Sequence, residues 1–126
     1  MANSWQQPVA GEPSCGTLHP HFKELVTNGT PAAGYYNVDV SAEVPVGTKA
    51  ILLEVNHASA AAGRYISVLT NSTPTPTSAF LYVIIAVANQ QASGSGIAFL
   101  TANRTFTYRA SNTTLGLYIR MHGYFI

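Results

Sequence analysis

Leu115-Gly-Leu-Tyr-Ile-Arg-Met-His-Gly-Tyr-Phe125 decides the fold class. Leu115, Leu117, Ile119, Met121 and Phe125 share one parity, and Tyr118, Arg120, His122 and Tyr124 share the other. A period of two sends alternate side chains to opposite faces of an extended chain. The odd residues are therefore expected in a core and the even ones outside it.

The same period recurs upstream. Tyr36, Val38 and Val40 alternate with Tyr35, Asn37 and Asp39, and Pro45-Val-Gly47 supplies turn chemistry after them. Lys49 to Asn56 places Ile51, Leu53 and Val55 on one face and Leu52, Glu54 and Asn56 on the other. A small-residue connection, His57 to Gly63, leads to a third strand at Tyr65 to Thr70. Two prolines among hydroxyl residues make Asn71 to Ser78 an exposed loop. Phe80 to Ala88 is apolar at both parities, the pattern of a strand covered on both sides. One side of such a strand meets the chain's own core. The other is expected to meet a subunit partner or the N-terminal arm, with Leu81, Val83, Ile85 and Val87 as interface residues. Gln90 to Gly96 is expected as a flexible turn. Ile97 to Leu100 and Thr105 to Arg109 should form a hairpin around residues 101–104, with Phe106 and Tyr108 inward.

About seven to eight short strands with little helix predict an all-β fold, an antiparallel β-sandwich of jelly-roll-like form. Residues 31–126 would form the sandwich. Residues 1–30 are rich in Pro, Gly, Gln and Asn and have no sustained period, with Phe22 to Val26 alone a candidate for a turn of helix or a short strand, so they predict an extended N-terminal arm. Trp5 and Phe22 are the arm's candidates for contact with a neighbouring subunit.

The chain has 126 residues, enough for one core, and 47% of them are apolar while only 9% are charged. An average soluble domain carries about 25% charged residues. A net charge of +1 supplies no positive field for phosphate backbones, so nucleic acid is not an expected partner. The longest nearly apolar run, Ala79 to Ala88, is half of the ~20 residues that a membrane-spanning helix needs, so no membrane insertion is expected. The N-terminus has neither the basic start nor the apolar stretch of a signal peptide, which suggests synthesis in the cytoplasm. Cys15 is the single cysteine, so an intrachain disulfide is excluded.

Val44-Pro-Val-Gly-Thr-Lys-Ala-Ile-Leu-Leu-Glu-Val-Asn56 and Leu117-Tyr-Ile-Arg-Met-His-Gly-Tyr-Phe-Ile126 resemble segments of β-sandwich modules found in bacteriophage virion proteins and some bacterial surface proteins. Those modules carry an early strand of this kind and end in a GYF-type strand. The resemblance extends loosely over Tyr35 to Ile126. It implies a noncatalytic subunit, usually a symmetric oligomer, that decorates a capsid, builds a tail or holds a host receptor. The proline-rich arm and the end at Ile126 favour a small decoration, cement or tail-accessory protein over one module of a long fibre. The expected place is the virion, after synthesis in the host cytoplasm, with an extracellular or cell-surface position as the alternative. Other virion proteins would be its partners.

Chemistry finds little support in the residues. Asp39 is the single Asp, and Gly94-Ser95-Gly96 lacks the strand-turn-helix setting of a hydrolase nucleophile. The five acidic residues show no spacing that singles out a catalytic pair. His19 and His21 share one side of an extended segment, but no Cys pair and few carboxylates support a metal site there. No catalytic residue, metal or cofactor is expected. The rival to assembly is recognition of a host-surface glycan or receptor, with Tyr35, Tyr36 and Tyr82 as stacking platforms. Arg104, Arg109 and Arg120 are expected to hydrogen-bond across an interface.

Overall fold

Alternation in sequence becomes alternation in burial. The computed structural model describes residues 16–69 and 79–126, with the backbone alone at 79 and 80. The described residues form eight strands: β1 (Leu18–Gly29), β2 (Gly34–Asp39), β3 (Ala50–Ala58), β4 (Tyr65–Leu69), β5 (Ala79–Ile84), β6 (Gln91–Phe99), β7 (Thr105–Ala110) and β8 (Leu115–Phe125). Among these residues no helix is long and apolar enough to cross a membrane.

One sheet has the order β1-β8-β3-β6 and the other β2-β7-β4-β5, with every neighbour antiparallel. Four of the pairings are β1 with β8, β2 with β7, β3 with β6, and β4 with β5. That nesting is a long hairpin wrapped into two layers, the jelly roll. Between the layers lie Ile51, Leu53 and Val55 from β3, Leu117, Ile119 and Met121 from β8, Ile66 and Val68 from β4, and Phe106 and Tyr108 from β7. Leu115, expected in the core, is exposed at the start of β8, ahead of the left-handed Gly116. Phe125, also expected in the core, turns outward beside Ala50, because the irregularity at His122 shifts the alternation and brings Tyr124, opposite Ile51, against the core instead.

Residues 18–29, placed in the arm by their sequence, are strand β1. Backbone pairing with β8 runs from Leu18 opposite Phe125 to Gly29 opposite Leu117. Three register shifts break its alternation, and most of its side chains are exposed, so the strand leaves no period to recognise. Pro20 is tolerated because an edge strand has a free N–H side. Trp5 and Cys15 lie outside the described residues.

Gln91 to Gly96, expected as a turn, belongs to β6. Its inward side chains are Ala92, Gly94, Gly96 and Ala98, too small to register as a core face. They leave room for β5 of the opposite sheet: a Cβ on Gly94 would stand 3.1 Å from Val83 Cγ2 and 3.4 Å from Leu81 Cδ1.

The expected hairpin of β6 with β7 is instead a crossing between layers, because β6 pairs with β3 while β7 pairs with β2 and β4. Arg104 holds the crossing. It takes a left-handed backbone (φ 60), accepts the Val40 N–H at 2.9 Å, and donates from Nη1 to the carbonyls of Ser41 at 3.1 Å and Val44 at 3.0 Å. Its guanidinium thus serves the fold, not a subunit interface.

Candidate functional site

Each sheet turns one face to the core and the other outward, and the two outward faces differ in chemistry. On the β1-β8-β3-β6 sheet, Leu18, Phe125, Ala50 and Phe99 stand in one cross-strand row. Leu52 and Ile97 stand opposite each other in the next. Phe22 joins them from a break in the β1 register, 60% exposed, with its ring edge-on to His122 at 5.4 Å. His122 occupies the matching irregularity of β8, where pairing with β3 jumps from Leu52 to Leu53.

An ionic cluster borders this apolar area. Arg120 donates from Nε to Glu24 Oε1 at 3.1 Å and approaches Glu54 Oε1 with Nη1 at 3.5 Å. His122 Nε2 lies 3.3 Å from the same Glu54 oxygen, Thr27 donates to Glu24 Oε2 at 3.1 Å, and the Arg120 guanidinium lies 4.7 Å above the Tyr118 ring. Partly exposed pairs of this kind contribute about 0–1 kcal/mol each. Their main effect is to fix the charged side chains beside the apolar rows.

The outward face of the β2-β7-β4-β5 sheet has tyrosines where the other has phenylalanine and leucine. Tyr35, Arg109, Ser67 and Tyr82 form a continuous row across all four strands. Tyr65, one step along, stacks on Tyr82 with centroids 4.5 Å apart. The Arg109 guanidinium lies between rings, 5.4 Å from the Tyr35 centroid and 5.8 Å from that of Tyr65. Desolvation first, then the neighbouring Tyr65 and its hydrogen bond, hold the Tyr82 phenol above its ordinary pKa, so it stays protonated.

No family model and no curated protein matches the chain.

The structure separates the residues that the sequence grouped. Val83 and Ile85 are buried in the chain's own interior and Leu81 packs against it from a partly buried position, so these three do not form an exposed interface. The strand is apolar at both parities because its even residues, Tyr82 and Ile84, are the exposed ones, at 53% and 48%. Val87 is 61% exposed, in the turn beyond β5. Tyr35 and Tyr82 share the outward face, but Tyr36 does not. It points inward, stacks on Tyr108 at 5.1 Å and donates its hydroxyl to the Ala32 carbonyl at 2.8 Å. Tyr65 and Arg109 complete the row instead. Only the strand order brings residues from four separate segments together, so no local signal could have found them.

Neither His19 nor His21 belongs to a metal cluster. His19 stacks on Tyr124 at 5.2 Å, His21 turns Nε2 to Glu43 at 3.3 Å, and no group of three potential ligands occurs among the described residues.

His57 is fully buried on β3 and donates Nε2–H to the Val83 carbonyl on β5 at 2.8 Å, tying the two sheets together. The carbonyl can only accept, so the neutral ring carries its proton on Nε2 and leaves Nδ1 without a partner. Burial lowers the His57 pKa, and the Val83 hydrogen bond offsets this in part. The unfolded chain therefore binds the extra proton first. Stability contributed by neutral His57 is complete above the ordinary value of 6.5 and declines as pH falls below it. Denaturant midpoints should drop between about pH 7 and pH 5, and His57→Gln should flatten the drop. An unchanged slope in the variant would refute this role.

Proposed function

We propose that the protein is a noncatalytic structural subunit of a virion or phage-like particle, a decoration, cement or tail-accessory component that works through contacts with copies of itself and with the surrounding lattice. The observation that carries this reading is the outward face of the β1-β8-β3-β6 sheet. Phe22, Leu18, Phe99 and Phe125 are presented there around Ala50, beside fixed charges, in a chain with few charges to spend on solubility. A fully buried large side chain contributes about 1.5–3 kcal/mol before ordering costs, so a handful of these residues can support a stable contact. The occupant that fits is a second apolar sheet face from another copy. The jelly-roll wrap suits the role because both sheets present broad, rigid outer surfaces at once.

Sedimentation velocity on the full chain tests the proposal. The wild type should sediment as an oligomer at micromolar concentration. Phe22→Asp combined with Phe99→Glu should sediment as a monomer with an unchanged circular dichroism spectrum. A wild type that stays monomeric into the high micromolar range, or an oligomer indifferent to the two substitutions, overturns it.

A further inference from the structure

The Tyr35–Arg109–Ser67–Tyr82 row lies on the side of the sandwich away from the proposed assembly face, so its use does not depend on that reading. Three features bear on what it contacts. First, its rings are exposed: Tyr82 by half, Tyr35 at 41%. Second, four strands at ~4.8 Å spacing give the row a length of ~14 Å, which suits an extended ligand better than a single small molecule. Third, Arg109 has no carboxylate within ion-pair distance among the described residues, whereas Arg120 on the other sheet has two. Asp39, the acidic residue of β2, lies at the far end of the sheet opposite Thr105, and its carboxylate accepts the Ser41 N–H at 2.8 Å.

A guanidinium held between aromatic rings, exposed and without a carboxylate partner among the described residues, is complementary to an anionic ligand. The exposed Tyr35 and Tyr82 rings on either side of it each join an apolar ring to a phenol hydroxyl. A saccharide bearing carboxylates matches both properties: its ring C–H faces stack on aromatics, its hydroxyls meet the phenols, and its carboxylate pairs with the guanidinium. An acidic peptide would match the charge but leaves the exposed Tyr35 and Tyr82 rings without a stacking partner. We infer that the outward face of the β2-β7-β4-β5 sheet binds an acidic oligosaccharide, with Tyr35 and Tyr82 as stacking platforms, Tyr65 bracing Tyr82 from behind, and Arg109 as the carboxylate partner.

Titration calorimetry of the full chain tests this with a galacturonic acid trimer and a sialylated trisaccharide as acidic probes, maltotriose as the neutral probe, and sodium sulfate and a glutamate oligopeptide as anions without pyranose rings. At least one acidic saccharide should bind. Arg109→Gln should weaken it about tenfold, the scale of one charge-assisted hydrogen bond, and should bring it close to maltotriose. Tyr82→Ala and Tyr35→Ala should weaken both saccharide classes, while Tyr82→Phe retains stacking and most of the affinity. Phe22→Asp should change nothing, which separates this site from the assembly face. Failure of both acidic saccharides to bind at millimolar concentration overturns the inference. So does binding indifferent to Arg109→Gln and Tyr82→Ala, or equal binding of the glutamate peptide or sulfate. Arg109→Lys keeps the charge but loses the planar fork; a folded Lys variant with reduced affinity supports the site should the Gln variant fail to fold.

Discussion

Phe106→Ala is expected to cost about 3–5 kcal/mol, the range for truncating a fully buried phenylalanine. Phe106 heads the fully buried side chains by volume, and it sits on β7, an interior strand of its sheet with β2 on one side and β4 on the other. Neighbours on both sides fix its backbone, so the surrounding structure has little freedom to collapse into the space left behind. A domain with a total stability of about 5–15 kcal/mol would lose a large fraction of it. Urea unfolding at neutral pH measures the loss, with Val46→Ala as the reference. Val46 is 80% exposed, and a surface truncation should stay within about 0.5 kcal/mol. A Phe106→Ala cost below about 2 kcal/mol would mean that the two layers are not packed on this ring as described.

Phe106 is also a residue that the sequence placed correctly, and the reason is physical. In β3 and β7, and in β8 from Leu117 to Met121, the inward positions carry large apolar side chains, so the hydrophobic pattern and the pleat report the same face. β1 and β6 are silent for opposite reasons. β1 is an edge strand held by backbone bonds to β8, and backbone bonds have no side-chain signature. β6 does turn a face to the core, but with Ala92, Gly94, Gly96 and Ala98, residues chosen for what they leave out. The same blindness affected the doubly apolar β5. Sequence identifies that both its faces are apolar, yet not which one the opposite sheet covers, and the glycines of β6 decide that in favour of Leu81 and Val83. The outward faces lay further out of reach. Tyr35, Tyr65, Tyr82 and Arg109 are separated by many residues in the chain and become neighbours only through the order β2-β7-β4-β5.

Gly94→Val is the second large effect, and it tests the contact between layers that the sequence hid. A Cβ at this position already stands 3.1 Å from Val83 Cγ2, closer than ordinary packing, and valine adds two methyl groups to it. Val83 is itself buried and anchored by β5 pairing with β4, where it lies opposite Ile66, so it cannot simply swing aside. Overpacking of this kind costs about 1–3 kcal/mol, and the shared wall with His57, which bonds the Val83 carbonyl, argues for the upper end. Gly96→Ala is the matched control. Its Cβ would meet Leu81 at 3.6 Å, ordinary contact, and alanine in a strand is favoured over glycine by about 0.5–1 kcal/mol, so this variant should be neutral or slightly stabilised. The decisive measurement is the double-mutant cycle. Val83→Ala alone opens a cavity and destabilises; combined with Gly94→Val, the new methyl groups occupy that space, and the two costs should sum to clearly more than the cost of the pair. A coupling energy near zero would place β5 away from β6 and remove the reason for glycine at position 94.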